Sequence, residues 1–398
     1  MAAFRLPREC IREIDKVCSA FLWSGAEMSS KKAKIAWGNV CKPKTEGGLG
    51  LRNLQEANNV CCLKLVWRII SNRSSLWVQW VDMYLLRGKS LWTATQRTNV
   101  GSWIWKKILK YRDLAKSFCK IEVGNGTTTS FWFDNWSTLG RLFDVAGERG
   151  IIDLGISKHS TVADAWAGRR QRRHRVAILN EIEESLDSQR RNRKETNDIA
   201  KWKGKGDTFQ TKFSTKNTWN NIRLSSPKVP WHKGAWFAHA TPKLSFCTWL
   251  AIHNRLSTGD RMMKWNGSAS GNCVLCRNNI ETRDHLFFSC SYTSTIWAAI
   301  AKGLWRARYT TDWSQILVCV SDQSQDRVES FLIRYGFQAT IYTVWRERNG
   351  RRHGETPNTA ATLIGWIDKQ VRNQITTIRH SGDRRYDMAF QTWLQARA

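Results

Sequence analysis

The sequence is poor in proline, with 6 Pro in 398 residues. A globular protein usually contains about 5% Pro, so collagen-like and proline-rich linker structures are excluded and long helices are permitted. Acidic residues are also scarce, with Asp+Glu 33 against Lys+Arg 63 and a formal net charge of +30. A polyanion relieves the self-repulsion of so many cations, so the composition indicates a nucleic-acid partner. A secreted basic protein or a membrane-surface binder is the alternative that charge alone leaves open.

Long apolar segments are absent as well. No run of about 18 apolar residues exists, so no membrane-spanning helix is expected. The first ten residues contain no apolar signal-peptide core, and the 11 Cys are odd in number and scattered. These features are typical of a reducing compartment, where Cys is a core residue or a metal ligand. We therefore expect a nuclear or cytoplasmic protein that is not secreted and has no membrane partner.

The remaining composition is typical of a globular protein with about two or three domains. Apolar residues make up 41% of the chain, and Trp is unusually frequent at 23 residues. Most of these Trp are expected in the core, and exposed ones could stack on unpaired bases.

One set of residues has the spacing of a metal site. Cys273, Cys276, His285 and Cys290 form the pattern C-x2-C-x8-H-x4-C. Two Cys two residues apart can chelate one ion because a tight turn brings both sulfurs to the same side, and a Cys₃His set suits Zn²⁺. Four protein ligands leave no position for water, so the predicted zinc is structural. Core cysteines with a chance spacing are the alternative.

Helical spacing of apolar residues predicts helices over most of the chain, including one that ends near Ser289, just before Cys290. Two stretches instead favour β-hairpins. The first is 120–134, with Asn125-Gly126 as its turn, and the second is 199–213. The predicted fold class is α+β, mainly helical, with a helical N-terminal part, two β-hairpins in the middle, a small zinc-stapled helical module and a helical C-terminal part.

Two groups of basic residues are candidates for phosphate contacts. The group near the metal motif comprises Lys243, Arg255, Arg261 and Lys264. The other group comprises Arg169, Arg170, Arg172, Arg173 and Arg175, and it precedes a predicted helix that ends in Arg190, Arg191, Arg193 and Lys194. A solvated basic face, a connector or a nuclear-import signal is the alternative interpretation.

Several motifs extend the metal pattern. They are the stretch from Pro242 to Arg261, Glu281-Thr282 and His285-Leu286-Phe287-Phe288 around the Cys residues, then Gly47-Gly48-Leu49-Gly50, Val123-Gly124-Asn125-Gly126, Phe131-Trp132 with Asp134 and Trp136, and Trp345-Arg346-Glu347-Arg348-Asn349. Together they resemble the C-terminal region of plant LINE-type (non-LTR) retrotransposon reverse transcriptases, over nearly the whole chain. The stretch around the Cys residues resembles the zinc-binding domain of these proteins and is the most specific part.

The resemblance implies four segments. They are a helical thumb-like segment at 1–115, a connector with β-hairpins and a basic helix at 116–225, the reverse transcriptase zinc-binding domain at 226–305 and a C-terminal helical segment at 306–398. It also implies template RNA or target DNA as the partner. The family's polymerase carries an Asp-Asp pair, which this chain lacks, and no endonuclease is expected in it.

The sequence therefore predicts a non-catalytic, nucleic-acid-binding and zinc-binding fragment of a protein whose parent is an RNA-directed DNA polymerase. A zinc-stabilised protein-interaction module, or a non-functional degenerate remnant of the element, is the alternative. A diverged nuclease is a third hypothesis, and Asp312, Asp322 and Asp326 are its carboxylates, in loop-like sequence.

Overall fold

Helices dominate the computed structural model, which describes residues 6–29, 32–87, 89–94, 101–167, 171–265, 267 and 270–397. In chain order the α-helices of this part are α1 (Arg8–Ser24), α2 (Trp37–Val40), α3 (Leu54–Ser71), α4 (Leu76–Trp80), α5 (Trp103–Lys116), α6 (Leu142–Leu154), α7 (Val162–Trp166), α8 (Ala177–Arg191), α9 (Thr215–Ile222), α10 (His232–Ala235), α11 (Pro242–Ile252), α12 (Gly259–Trp265), α13 (Ser291–Trp305), α14 (Trp313–Ser321), α15 (Arg327–Arg352), α16 (Ala360–His380) and α17 (Ala389–Gln395). Two π-helical turns, Val81–Leu86 and His285–Ser289, interrupt this pattern. No helix within these ranges is both long and apolar enough to span a bilayer.

A small antiparallel sheet contains three strands, β1 (Cys119–Glu122), β2 (Ile199–Lys203) and β3 (Phe209–Gln210), in that order. Cys119 lies opposite Trp202, and Lys203 lies opposite Phe209. The mainly helical α+β class is therefore confirmed, and so is the second hairpin, which β2 and β3 form.

The first predicted hairpin is wrong. Strand β1 pairs with β2, about 80 residues further along the chain, instead of with the run that follows Asn125-Gly126. The reason is the Asp198 carboxylate, which accepts hydrogen bonds from the N–H groups of Gly124 (2.8 Å), Gly126 (2.8 Å) and Thr128 (3.1 Å) and from the Thr129 hydroxyl (2.8 Å). These donors are therefore not available to a local β-ladder.

Glycine is required in this turn for two reasons. A Cβ atom on Gly124 would lie 2.1 Å from the carbonyl oxygen of Thr196, and Gly126 has a φ of +74°. Both the close backbone approach and the left-handed conformation favour a residue without a side chain. The Gly-Asn-Gly motif thus wraps a carboxylate that lies far away in the sequence.

The chain folds into two compact units. Among the described residues, the first unit contains those up to Val17 and those within Arg52–Ser225, and the second contains those within Cys18–Leu51 and those from Ser226 onward. The division into four segments stays a prediction.

Each unit has its own aromatic core. In the first unit, Trp202 packs at 5.5 Å from Trp67 and 5.4 Å from Phe118, measured between ring centroids, and its indole N–H donates to the Thr218 hydroxyl at 2.9 Å. In the second unit, Phe288 lies 4.8 Å from Trp297 and 5.8 Å from Phe337. The expectation that most Trp are core residues is confirmed, and the exposed ones are Trp80, Trp103, Trp265 and Trp366.

Candidate metal centre

A tight turn positions the first two sulfurs of the predicted site. Asn272 and Ile280 form an isolated β-bridge that encloses a short loop. Within this loop, the backbone N–H of Arg277 donates to the Cys273 carbonyl at 2.7 Å. Arg277 has a φ of 64°, the left-handed conformation that closes such a turn. The backbone N–H groups of Leu275 and Cys276 point at the Cys273 sulfur. The local backbone therefore turns both thiols to one side, as the spacing predicts.

A π-helical turn positions the other two ligands. Residues His285–Ser289 are π-helical, and the Cys290 N–H donates to the His285 carbonyl at 2.7 Å. An α-helix does not align side chains five residues apart, whereas an i to i+5 hydrogen bond closes a wider turn that brings them together. Leu286, Phe287 and Phe288 between them are fully buried, so the turn is fixed by the core of the second unit.

The four side chains converge. Their ligand atoms all lie within 4.8 Å of one another, with 3.3 Å between Cys276 Sγ and His285 Nε2 and 3.9 Å between Cys273 Sγ and Cys290 Sγ. Two bonds of about 2.3 Å at a tetrahedral angle would separate two sulfurs by about 3.8 Å. The donor set and the separations of the donor atoms therefore fit a tetrahedral metal ion.

The surroundings of Cys290 favour its thiolate. Cys290 is the residue that precedes α13, and it is fully buried. A hydrogen bond from the Cys273 thiol lowers the pKa of Cys290, burial opposes this, and the backbone N–H groups of Thr293 and Tyr292 assist it. A thiolate at a helix N-terminus also interacts favourably with the helix dipole. Burial lowers the pKa of His285, which favours the neutral imidazole that a metal binds.

A buried ion pair supports the loop of the centre. The Arg348 guanidinium donates to the Glu281 carboxylate, with 2.6 Å from Nη2 to Oε1 and 3.2 Å from Nε to Oε2. Glu281 Oε1 also accepts from the Gly259 N–H at 2.9 Å, and Arg348 Nη2 donates to the Ser257 carbonyl at 2.9 Å. The side chains are 0% and 3% exposed, so the metal loop and α12 are tied to α15 by a fully desolvated contact.

Sequence analysis missed this pair, although it noted both of its motifs. Glu281 belongs to the Glu-Thr motif before His285, and Arg348 belongs to the Trp-Arg-Glu-Arg-Asn motif of α15. A charged residue inside a long helical apolar pattern is the signal that could have identified Arg348 as a buried partner.

The basic residues near the metal motif do not form one cluster. Lys243 lies at the start of α11, with its ammonium 5.2 Å from the centroid of the Tyr342 ring, and Arg255 is exposed beyond the end of that helix. Arg261 and Lys264 lie on α12, where the Arg261 guanidinium covers the Trp265 ring at 5.2 Å. Lys243 and Arg255 are thus at opposite ends of an eleven-residue helix that is about 16 Å long.

The second basic group is fixed to α8 through His174. The backbone N–H of His174 donates to Asn180 Oδ1 at 2.7 Å, and the ring Nε2 of His174 lies 3.1 Å from Glu183 Oε1. Arg172, Arg173 and Arg175 around it are exposed. Arg169 and Arg170 lie outside the described residues. At the other end of the helix, Arg191 pairs with Asp187, Lys194 pairs with Glu122, and Arg193 covers the Trp166 ring.

The three candidate nuclease carboxylates have other partners. Asp312 precedes α14 and accepts the Gln315 N–H, and Asp326 precedes α15 and accepts the Val328 N–H, both at 2.8 Å. Asp322 accepts from the N–H and the hydroxyl of Ser324 and pairs with Arg308. Hydrogen bonds of this kind are those of helix caps and turns.

Comparison with known families defines the class of this site. Residues 213–297 match the family described as zinc-binding in reverse transcriptase, and this range contains all four metal-site residues. The match and the Cys₃His cluster indicate a metal-binding site, and over this range the predicted resemblance to the reverse transcriptase zinc-binding domain is confirmed.

Two relatives come from Arabidopsis thaliana. One is named a putative ribonuclease H protein, and it is 22% identical over 321 residues, which cover 75% of this chain and 49% of the relative. The other is named an uncharacterized mitochondrial protein, and it is 28% identical over 137 residues, which cover 34% of this chain and 88% of the relative. The chain thus spans about half the length of the first relative. No solved structure matches the chain.

Proposed function

We propose that this chain is a non-catalytic, nucleic-acid-binding part of a retrotransposon reverse transcriptase, and that a structural zinc ion stabilises it. The observation that carries the proposal is the closed Cys₃His cluster, seated in the core of a unit whose chain has a formal net charge of +30. A zinc ion in the cluster would stabilise the fold of the zinc-binding segment. The surplus of cations favours a polyanion, here nucleic acid, as the partner.

Cys273, Cys276, His285 and Cys290 would hold the zinc. The ion would supply folding free energy and no Lewis-acid chemistry, since four protein ligands leave no coordination position for a substrate. The buried Cys273 and Cys290 and the π-helical turn between His285 and Cys290 support a ligand set shaped by the core.

In this role the chain carries out no polymerase or nuclease reaction. Two-metal phosphoryl transfer needs carboxylates that hold both ions, and the sequence contains no Asp-Asp pair. The carboxylates of Asp312, Asp322 and Asp326 are engaged as caps or in ion pairs, which also speaks against a diverged nuclease site.

Nucleic acid would be held mainly by its phosphates. The exposed Arg172, Arg173 and Arg175 precede the N-terminus of α8, where the helix dipole adds to the attraction for an anion. Such contacts position a strand without reading its sequence. Template RNA and target DNA both present this chemistry.

The test is binding of the full chain to fluorescently labelled single-stranded RNA, single-stranded DNA and a duplex over a salt series. Phosphate contacts predict that log K falls linearly with log salt. A chain that binds none of the three probes at low salt, or binds with a flat salt dependence, would refute the nucleic-acid assignment and favour the protein-interaction module.

A further inference from the structure

A groove in the second unit is lined by three helices. It has a volume of about 420 Å³ and lies between the start of α11, the middle of α15 and the exposed face of α16. The floor is formed by Tyr335 and Thr343, which are buried, and Tyr335 is held there by a 2.9 Å hydrogen bond between its hydroxyl and that of Thr241. The floor is therefore a fixed part of the core.

The rim of the groove is positively charged. Lys243, Arg346 and Lys369 line it from α11, α15 and α16 respectively, and all three are exposed. None of the described side chains that line the groove is acidic. Three cations that converge from three helices with no acidic neighbour in the lining present an attractive field for an anion with more than one charge.

The same groove has an aromatic side. Trp366 is 45% exposed, and Tyr342 is partly exposed beneath the Lys243 ammonium. Trp366 precedes Lys369, Gln370 and Asn373 by three, four and seven residues, so these side chains form one stripe on α16. The stripe combines a π surface, a cation and amides that can donate to or accept from a base edge.

The two residues that follow Arg346 in α15 are both held by structural contacts. Glu347 is buried and accepts from Arg351 at 2.7 Å and from the Asn358 N–H at 2.9 Å, and Arg348 is buried against Glu281. Arg346, which lies between Trp345 and these two residues, instead reaches the groove. Glu347 and Arg348 thus have structural partners, whereas Arg346 has no ion-pair partner among the described residues and is available to a ligand.

We propose that this groove is the site that holds single-stranded nucleic acid, with phosphates on Lys243, Arg346 and Lys369 and an unpaired base on Trp366. This inference rests on the proposed nucleic-acid-binding function and adds where and in which form the strand binds. A basic rim next to an exposed Trp is the combination that single-strand binding uses, whereas the bases of a duplex are stacked on one another and cannot cover an indole.

The experiment measures anisotropy of labelled oligouridine, oligothymidine and a duplex with the full-length chain over a salt series. The variant Lys243→Gln/Arg346→Gln/Lys369→Gln removes the rim charges. The matched control, Lys302→Gln/Arg327→Gln/Arg379→Gln, removes three exposed cations outside the groove in the same unit. For single strands, the groove variant should reduce the slope of log K against log salt by about 2, and the control should leave that slope within error of wild type.

Trp366→Ala should weaken single-strand binding by about 5- to 150-fold and leave duplex binding unchanged. Trp366→Phe should retain most of the affinity, and Phe390→Ala, an exposed aromatic outside the groove, should have no effect. Circular dichroism and metal content check that each variant folds. If the triple groove variant does not fold, the single exposed change Lys369→Glu replaces it.

The outcomes separate the two proposals. If the wild-type chain binds no nucleic acid, the proposed function itself fails. If it binds but the groove variant keeps the wild-type slope, or Trp366→Ala keeps the wild-type affinity for single strands, the groove is not the site while the function stands. Preference for oligouridine or oligothymidine distinguishes RNA from DNA as the strand that the groove holds.

Discussion

Glu281 and Arg348 are 67 residues apart in sequence and form a fully buried ion pair, with 2.6 Å between Oε1 and Nη2. Glu281 follows the first two metal-site cysteines and precedes His285, and Arg348 belongs to the longest described helix. The pair is therefore a buried polar connection between the metal loop and the helical core.

We expect Arg348→Met to lower the free energy of unfolding of the second unit by about 3–5 kcal/mol, because it leaves the Glu281 carboxylate buried without its partner. The double variant Glu281→Gln/Arg348→Met should be less destabilised than the two single variants together. Urea unfolding of the metal-loaded chain measures both. Arg308→Gln, which breaks the more exposed pair with Asp322, serves as the control and should cost about 1 kcal/mol or less. Additive effects of Glu281→Gln and Arg348→Met would contradict the coupling.

The metal cluster predicts one zinc ion per chain. Elemental analysis of protein purified without chelators should give this ratio, and Cys273→Ser should lower it and abolish cooperative unfolding of the second unit, since structural zinc contributes folding free energy directly. Cys10→Ser, which changes an exposed cysteine far from the cluster in sequence, should keep both properties. A metal-free wild-type chain with the same unfolding transition would show that the cluster is not a zinc site.

The hydrogen bonds of the Asp198 carboxylate lead us to expect an acid-sensitive turn in the first unit. Burial opposes ionisation, but hydrogen bonds from Thr129, Gly126, Gly124 and Thr128 outweigh it and lower the pKa of Asp198. A carboxylate whose pKa is lower in the folded than in the unfolded state contributes stability above its unfolded pKa of about 3.9, and this stability is lost as the pH falls through the folded pKa.

Amide-exchange protection of residues 124–129, corrected for intrinsic exchange rates, should therefore fall below about pH 4 in the wild-type chain. Asp198→Asn should reduce the protection already at pH 7, because an amide cannot accept all of these hydrogen bonds. Asp207→Asn, at a 99% exposed carboxylate, is the control and should behave as wild type. Equal protection in Asp198→Asn at pH 7 would mean that the carboxylate does not organise the turn.

The arginines before α8 provide a test of phosphate binding in the first unit. Arg172→Gln/Arg173→Gln/Arg175→Gln should reduce the slope of log K against log salt by about 2 for single strands, similarly for all sequences. Arg12→Gln/Lys16→Gln/Arg149→Gln removes three exposed cations that already face carboxylates and should change the slope less. An unchanged slope, with the fold intact, would favour the connector or nuclear-import interpretation of this cluster.

The absence of an Asp-Asp pair predicts that the purified chain does not extend a primer. Incubation with a primed RNA template, deoxynucleotides and Mg²⁺ should give no product, because the sequence lacks the Asp-Asp motif whose carboxylates would hold two ions. Product formation that EDTA abolishes, and that a mock preparation lacks, would overturn the non-catalytic assignment.

Local sequence patterns were sufficient for the features that local geometry controls. The spacing of the three cysteines and His285 predicts their convergence, because each half of the cluster is built by one short turn. The second hairpin forms as predicted because its two runs are joined by a short loop. Helix caps such as Asp312 and Asp326 are also local features, although the sequence placed them only in loops.

Long-range pairings were not predictable in the same way. Asn125-Gly126 has the composition of a hairpin turn, but Asp198, more than 70 residues away, takes up the backbone donors. Glu281 and Arg348 each stand in a recognisable motif, yet no periodicity connects them. The groove combines residues from three helices, and only Lys243 was singled out as a candidate from the sequence. In each of these examples, the tertiary packing of the chain determines which distant residues come into contact.

Arg346, Glu347 and Arg348 follow one another on α15, and each serves a different neighbour: the groove, Asn358 and Glu281. Successive residues of an α-helix are rotated by about 100° around its axis, so three consecutive side chains extend in three different directions. Deleting a single residue between Arg327 and Trp345 would rotate all three side chains away from their partners together. The length of this helix is thus constrained by three independent contacts, and an insertion of a whole turn would be less disruptive in rotation but would shift each side chain by about 5.4 Å along the axis.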